Sequence, residues 1–301
     1  MRGLSATFLH DLTAGVLRPL LDRVHLDRTL CLELRDDYVN IYYRGGNLLR
    51  LAHRGDAYVA TFDTNYGKAA PTGLEVPAAE VRGPEHVAAW LEAMPHLKLA
   101  MDLTLGHHPK EEREIQQLVA RDNNMGSVSR ATDYYVCDIE YANAHGRFDI
   151  VAVHWPSTPM DRKRSDGRRL VIGEVKQGDN ALSGQAGLHA HVRDIDRFLA
   201  DPARLASLKE EMVAVFRQKR ALGLIDCGRD LTSFSDEPPL VLLILANHDP
   251  AKTKLREQLA TLPTAHHCAI RVVASSLVGY GLFDPGMLTV DEVLARPETS
   301  F

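Results

Sequence analysis

Two stretches rich in β-branched residues carry charged side chains inside what their composition predicts to be buried strands. One covers residues 147–153 (RFDIVAV) and the other residues 170–176 (LVIGEVK). Because side chains alternate along a strand, Glu174 and Lys176 point to the same side. Charged groups among valines and isoleucines are costly unless they are paired or bind a ligand. Any fold of this chain must therefore accommodate Glu174, Lys176 and the neighbouring Asp149.

These residues have the chemistry of a divalent-metal phosphodiesterase site. The carboxylates of Asp149 and Glu174, together with the carbonyl of Val175, form an oxygen-rich ligand set that suits Mg²⁺ or Mn²⁺. Such a cation activates water and polarises a phosphoryl oxygen. Lys176 can orient that water or neutralise charge that develops on phosphorus. A solvated cross-strand ion pair is the alternative for an isolated Glu-x-Lys.

Over about residues 105–250 the chain resembles the PD-(D/E)xK nuclease superfamily, on the strength of Asp149, Glu174 and Lys176. It departs from the family pattern at Phe148, where a proline is expected. The resemblance implies a restriction-endonuclease-like αβββα core with a mixed sheet. It also implies a metal-dependent nuclease that uses Mg²⁺ or Mn²⁺, acting on DNA rather than RNA, in restriction, repair or defence. A catalytically silent nucleic-acid-binding module on the same fold is the alternative.

The elements that surround this pattern are predicted in the order that the family requires. Apolar periodicity predicts helices over residues 110–123, 184–199 and 202–222, the second of them capped by Ser183. Alternating or continuous apolar runs predict strands over residues 134–141, 148–155, 170–175 and 240–246. With the first two strands joined by a turn at 143–146, the hairpin is centred between Ala144 and His145. This register places Glu140 opposite Asp149, as a second-tier site residue.

The resemblance implies further site residues on the flanking helices. A glutamate of the first core helix completes the metal site in members of the superfamily, and Glu112 and Glu114 are the candidates here. The alternative for both is a solvated acid near a helix N-terminus. Gln185 and His189, one helical turn apart, resemble a family motif that contacts the substrate backbone. A surface histidine is the alternative for His189.

A cluster of basic residues lies between the two charged strands, although the formal net charge of the chain is −5. The cluster contains five basic side chains: Arg162, Lys163, Arg164, Arg168 and Arg169. In a nuclease, such a loop grips phosphates beside the scissile bond. A solubilising loop is the equally open alternative.

The first 105 residues read as a smaller α+β domain, and residues 106–301 as the nuclease domain. Short alternating strands over 29–34, 38–44, 47–53 and 57–63 predict an antiparallel meander. Helices are predicted near residues 8–24 and over 84–94. A role for this domain in substrate contact or oligomerisation is open.

Composition limits the environment and the partners of the chain. Four widely spaced cysteines predict reduced thiols, and no apolar run is long enough for a membrane span or a signal peptide. We therefore expect a cytoplasmic protein with no membrane partner. A homodimer and a separate partner protein remain open.

Overall fold

The computed structural model describes residues 2–69, 74–125, 130–246, 248, 253–275 and 280–296. These residues form an α/β protein with eight α-helices and two five-stranded sheets, one antiparallel and one mixed. In this part of the chain, no helix combines the length and hydrophobicity that crossing a membrane requires. All four cysteines are free thiols, as predicted.

The elements follow one another along the chain in this order: α1 (Ala6–Thr13), α2 (Arg18–Leu26), β1 (Leu30–Leu34), β2 (Tyr38–Tyr43), β3 (Gly46–Arg54), β4 (Ala57–Thr61), β5 (Glu80–Val81), α3 (Pro84–His107), α4 (Glu111–Asn124), β6 (Tyr134–Ala142), β7 (Arg147–His154), β8 (Arg169–Gln177), α5 (Leu188–Leu199), α6 (Pro202–Ala221), β9 (Leu240–Ala246), α7 (Thr253–Ala260), β10 (Ala269–Ser275) and α8 (Val290–Leu294). Short 3₁₀ turns lie between some of them.

The chain forms two compact units. Unit 1 contains Met1–Gln117 and Arg217–Ile225, and unit 2 contains Leu118–Phe216 and Asp226–Phe301. The sequence predicts a boundary between residues 105 and 106. In the structure the chain passes between the units within α4, within α6 and after Ile225, so neither unit is one continuous segment.

The sheet of unit 1 has the strand order β1-β2-β3-β4-β5, and every neighbouring pair is antiparallel. The predicted meander is therefore confirmed. The single helix predicted near residues 8–24 is wrong, because the chain forms α1 and α2 separately around Gly15, with Pro19 in the first turn of α2. Proline suits that position because its missing N–H would have no intrahelical partner there. The helix predicted over 84–94 continues to residue 107.

A buried ion pair joins the first strand of unit 1 to its C-terminal segment. Lys219 Nζ lies 2.8 Å from Glu33 Oε1, and both side chains are almost fully buried. The thiol of Cys31 also points to Glu33, with its sulfur 3.6 Å from the same oxygen. Because this pair offsets part of the cost of burying both charges, it links residues 186 positions apart within unit 1.

We expect Lys219→Met to destabilise the protein by about 3 to 5 kcal/mol, because it removes the ammonium group that the buried Glu33 carboxylate contacts. Urea unfolding followed by circular dichroism measures the change. The double variant Glu33→Leu with Lys219→Met is the control, since two apolar side chains should restore much of the lost stability. Wild-type stability of the single variant would contradict the dependence on this pair.

The sheet of unit 2 has the order β10-β9-β8-β7-β6. β6, β7 and β8 are antiparallel neighbours, whereas β9 runs parallel to both β8 and β10. All residues of β9 and most of β8 are buried, as their continuous apolar runs predict for central strands. The predicted bounds of β9 are confirmed.

A side chain forms hydrogen bonds with part of the backbone of the edge strand β6. Asn124, at the end of α4, accepts the N–H of Val136 at 2.7 Å and donates to its carbonyl at 2.8 Å. One amide side chain thereby completes both backbone hydrogen bonds of an edge residue. This contact fixes the last turn of α4 against the antiparallel half of the sheet.

Candidate functional site

The site begins where the ladder between β7 and β8 ends. Ile150 and Gly173 form the last pair at this end, and beyond them Asp149 Oδ2 accepts the N–H of Val175 at 2.8 Å. A side-chain carboxylate thus takes the position of a strand carbonyl. Because the N–H and C=O of a strand residue point to the same neighbour, the carbonyl of Val175 is directed to the side of Asp149.

Glycine at position 173 permits this close approach of the two strands. A Cβ atom there would lie 3.0 Å from Cβ of Ile150 and 3.4 Å from Cδ1 of Ile244. Both neighbours are buried, so neither has room to move away. The absence of a side chain at position 173 therefore permits the pair of Ile150 and Gly173. Asp149 and Glu174 are the next residues beyond this pair, at the same end of the sheet.

Glu174 and Lys176 point the same way from β8, as alternation predicts. Lys176 Nζ lies 2.8 Å from Glu174 Oε1, and the two side chains are only 5% and 1% exposed. α5 adds an imidazole to the same oxygen, with His191 Nδ1 at 3.2 Å. The Glu174 carboxylate is therefore held between a cation on its own strand and a ring on the adjacent helix.

Burial lowers the pKa of His191 from its ordinary value, and the positive charge of Lys176 lowers it further. The imidazole is therefore neutral near pH 7, and its contact with Glu174 is not an ion pair. A neutral ring carries one nitrogen that donates and one that accepts, so His191 can act either as a hydrogen-bond donor or as a ligand.

Glu140 lies across from Asp149, in the register that the hairpin prediction requires. The pairs Ile139–Ile150 and Tyr141–Phe148 flank this position on both sides. Glu140 itself has a φ of 54°, a left-handed conformation that is uncommon for a residue with a side chain. Local strain of this kind concentrates at functional sites, which keeps Glu140 among the candidates.

The donor set at this end of the sheet fits a hard divalent cation. Asp149, Glu174 and the carbonyl of Val175 supply oxygen, and Mg²⁺ needs only one or two carboxylates because it retains several waters. Within the described ranges, no three histidine, cysteine or acidic side chains already form a metal-binding group. Glu174 Oε1 instead contacts Lys176 Nζ, which supplies positive charge next to this oxygen.

Gln185 and His189 do not share a helical face, so that prediction is wrong. α5 begins at Leu188 after Gly187, and Ser183 does not cap it. Gln185 lies in an exposed turn that follows Gly184, whose φ of 87° is incompatible with a continuing helix. His189 Nε2 lies 2.9 Å from the carbonyl oxygen of Gln258 and is engaged there.

The basic loop lies at the other end of the strands from Asp149 and Glu174. Because β7 and β8 are antiparallel, the loop joins His154 to Arg169, whereas the site lies near the opposite ends of both strands. Glu174 lies five residue steps along β8 from Arg169, or about 17 Å. The expected position of this loop beside the site is therefore wrong, and a role for it in binding phosphates stays a prediction.

Three of the five basic loop residues also have structural partners. The Arg168 guanidinium is 5% exposed, pairs with Asp161 at 3.1 Å and lies over the ring of Trp155. Arg162 donates to the carbonyl of Thr132 and stacks on Tyr135. Arg169 donates to the carbonyl of Pro238 at 2.7 Å.

The remaining two basic residues of the loop, Lys163 and Arg164, are exposed to solvent. Arg164 lies 4.0 Å from Asp166, at the limit of an ion pair, and both side chains are solvated. Solvation screens such a pair, so it does little for stability. The exposed charge of the loop therefore fits the solubilising alternative.

Topology brings other polar residues to the end of the sheet that carries the site. Arg147 opens β7, two positions before Asp149, and its side chain is exposed. β9 ends beside Gln177, and the following His248 is buried with Nδ1 3.6 Å from Asp179 Oδ1. The spacing of Arg147 from Asp149 was a usable signal in the sequence, whereas His191 reaches Glu174 only through the fold.

Glu112 and Glu114 lie in the part of α4 that belongs to unit 1. Arg44 Nε is 3.6 Å from Glu114 Oε1, so this carboxylate already has a cationic neighbour in its own unit. A metal-binding role for either glutamate stays a prediction.

Comparisons with models of known protein families, with curated proteins and with solved structures found no match to this chain.

Proposed function

We propose that this protein is a divalent-metal-dependent nuclease that hydrolyses phosphodiester bonds, with DNA as its substrate. The single observation that carries the proposal is the carboxylate of Asp149 on the N–H of Val175, beside the buried pair of Glu174 and Lys176. Binding of a cation and a phosphate explains why three charged side chains lie together at one end of two adjacent strands.

The topology of unit 2 supports the same proposal. Three antiparallel strands are followed by a strand parallel to β8, with α4 before them and α5 after β8. This order agrees with the αβββα core of restriction-endonuclease-like proteins, to which the Asp149, Glu174 and Lys176 pattern is similar. A setting in restriction, repair or defence follows from that likeness.

Each residue of the site has a distinct role in the proposed reaction. Asp149 and Glu174 hold the cation through carboxylate oxygens, with the carbonyl of Val175 as a third donor. Bound Mg²⁺ or Mn²⁺ supplies Lewis-acid chemistry, which polarises a phosphoryl oxygen and acidifies water. Lys176 places an ammonium group beside the reacting phosphate, where it stabilises negative charge in the transition state.

A second candidate, a binding module without catalysis, is favoured by one observation. Glu174 and Lys176 already neutralise each other at 2.8 Å inside the sheet, which is also how a purely structural buried pair is arranged. In that case the fold retains nucleic-acid binding and lacks cleavage. Metal binding and cleavage distinguish the two candidates.

We expect Asp149→Asn to weaken or abolish Mn²⁺ binding, because it removes a negative charge and keeps an oxygen that can accept the Val175 N–H. Titration calorimetry measures the affinity, and thermal unfolding checks that the fold is retained. Asp166→Asn, in the exposed loop at the other end of the sheet, is the matched control and should bind Mn²⁺ like the wild type. Equal affinity of the Asp149 variant would remove the metal site.

We expect Lys176→Met to lower cleavage by roughly 10² to 10³-fold, the scale for loss of one electrostatic stabiliser, and to leave Mn²⁺ binding in place. Methionine keeps the apolar stem that packs in the sheet but removes one partner of a buried ion pair, so thermal unfolding must show that the variant stays folded under the assay conditions. Cleavage is measured on single- and double-stranded DNA and RNA, with Lys163→Met as control. Undiminished cleavage would place the chemistry elsewhere, and a metal-loaded wild type that cleaves none of these substrates would favour the binding module.

We expect Arg147→Ala to reduce the salt dependence of DNA binding, because its exposed guanidinium lies on the strand that carries Asp149. The slope of log K against log salt should fall by up to about 0.9 for one lost phosphate contact. The double variant Lys163→Ala with Arg164→Ala is the control and should keep the wild-type slope. The reverse result would return the phosphate contact to the loop.

A further inference from the structure

α5 brings an imidazole to the carboxylate that the proposed function assigns to the metal. His191 Nδ1 lies 3.2 Å from Glu174 Oε1, and the ring is 30% exposed, so one side of it reaches solvent. The neighbouring His189, on the same helix, is turned to the carbonyl of Gln258 and away from this carboxylate. His191 is therefore the imidazole that the fold delivers to the site.

We propose that His191 is a ligand of the same cation as Glu174, and that its nitrogen makes the site favour Mn²⁺ over Mg²⁺. The inference rests on the proposed function and deepens it by naming the metal that the site selects.

The distance between the two side chains fits two adjacent ligands of one octahedral cation. Ligand atoms about 2.1 Å from such a cation and at right angles to each other lie about 3.0 Å apart. The observed separation of 3.2 Å between Nδ1 and Oε1 is close to this value. These two atoms need little rearrangement to bind one ion, and waters can complete its coordination.

Two states of the ring are compatible with the short contact to Glu174. His191 can present an Nδ1 lone pair to a cation that Glu174 also binds, which requires that atom to be deprotonated. It can instead donate an Nδ1–H to Glu174, and the experiment must distinguish these two states.

A nitrogen donor changes which cation the site prefers. Mg²⁺ is a hard ion that binds oxygen and retains its waters, whereas imidazole suits transition metals. Carboxylate and carbonyl donors alone do not favour Mn²⁺ over Mg²⁺ in this way. Substitution of His191 should therefore lower the affinity for Mn²⁺ more than the affinity for Mg²⁺.

The test uses the full chain loaded with Mn²⁺ and pulsed electron paramagnetic resonance, which detects a nitrogen bound to the ion. We expect nitrogen modulation in the wild type and in His189→Gln, and its loss in His191→Gln. Competition calorimetry should show Mn²⁺ bound at least about tenfold more weakly by His191→Gln, with a smaller loss for Mg²⁺. Neither measurement depends on cleavage.

Two failures have different meanings. If the wild type binds Mn²⁺ in a manner that depends on Asp149 but shows no nitrogen modulation, His191 is a hydrogen-bond donor and only this inference is overturned. An equal loss of Mn²⁺ and Mg²⁺ affinity in His191→Gln overturns the selectivity in the same way. If the wild type binds no Mn²⁺, the proposed metal-dependent function fails, and this inference fails with it.

Discussion

The structure of unit 2 depends on placing a carboxylate and an ammonium group inside a central strand. Glu174 and Lys176 lie on β8, between β7 and β9, and their side chains are only 1% and 5% exposed, so neither charge is solvated. Their mutual attraction offsets part of the cost of removing both charges from water. The contact from His191 offsets a further part of this cost. A purely structural sheet has no need of this arrangement, because two apolar residues of similar volume would fill the same space.

The sequence predicted the parts of the fold that follow from local periodicity. The antiparallel meander of unit 1, the strand at 240–246 and the hairpin register of Glu140 against Asp149 all depend on alternation and turn position. The start of α5 was harder to predict, because Ser183 is a good capping residue and no neighbouring residue in the sequence rules it out as the helix cap. Gly184 prevents a helix from starting at Ser183, because its φ of 87° is a backbone conformation that a right-handed helix cannot contain, and the helix begins after Gly187 instead.

The candidate site was predictable only where its members are close in sequence or share a strand. Glu174 and Lys176 are related by alternation, and Asp149 by the hairpin register of its strand. His191 lies on a helix whose rotation over the sheet is set by packing of Leu188, Val192 and Ile195, and no local pattern encodes that rotation. The basic loop was wrongly predicted to lie beside the site, because it is close in sequence to both strands that carry the site. Since β7 and β8 are antiparallel, the loop joins them at the end of the sheet opposite to Asp149 and Glu174.

The discontinuous composition of unit 1 also affects how the chain matures on the ribosome. Glu33 emerges with the first strand, but its partner Lys219 is synthesised 186 residues later, after most of unit 2 has been made. Until then Glu33 cannot form its buried contact with Lys219. This contact can complete the packing of unit 1 only after the chain has been synthesised through α6, although the strands of its sheet are the earliest to appear.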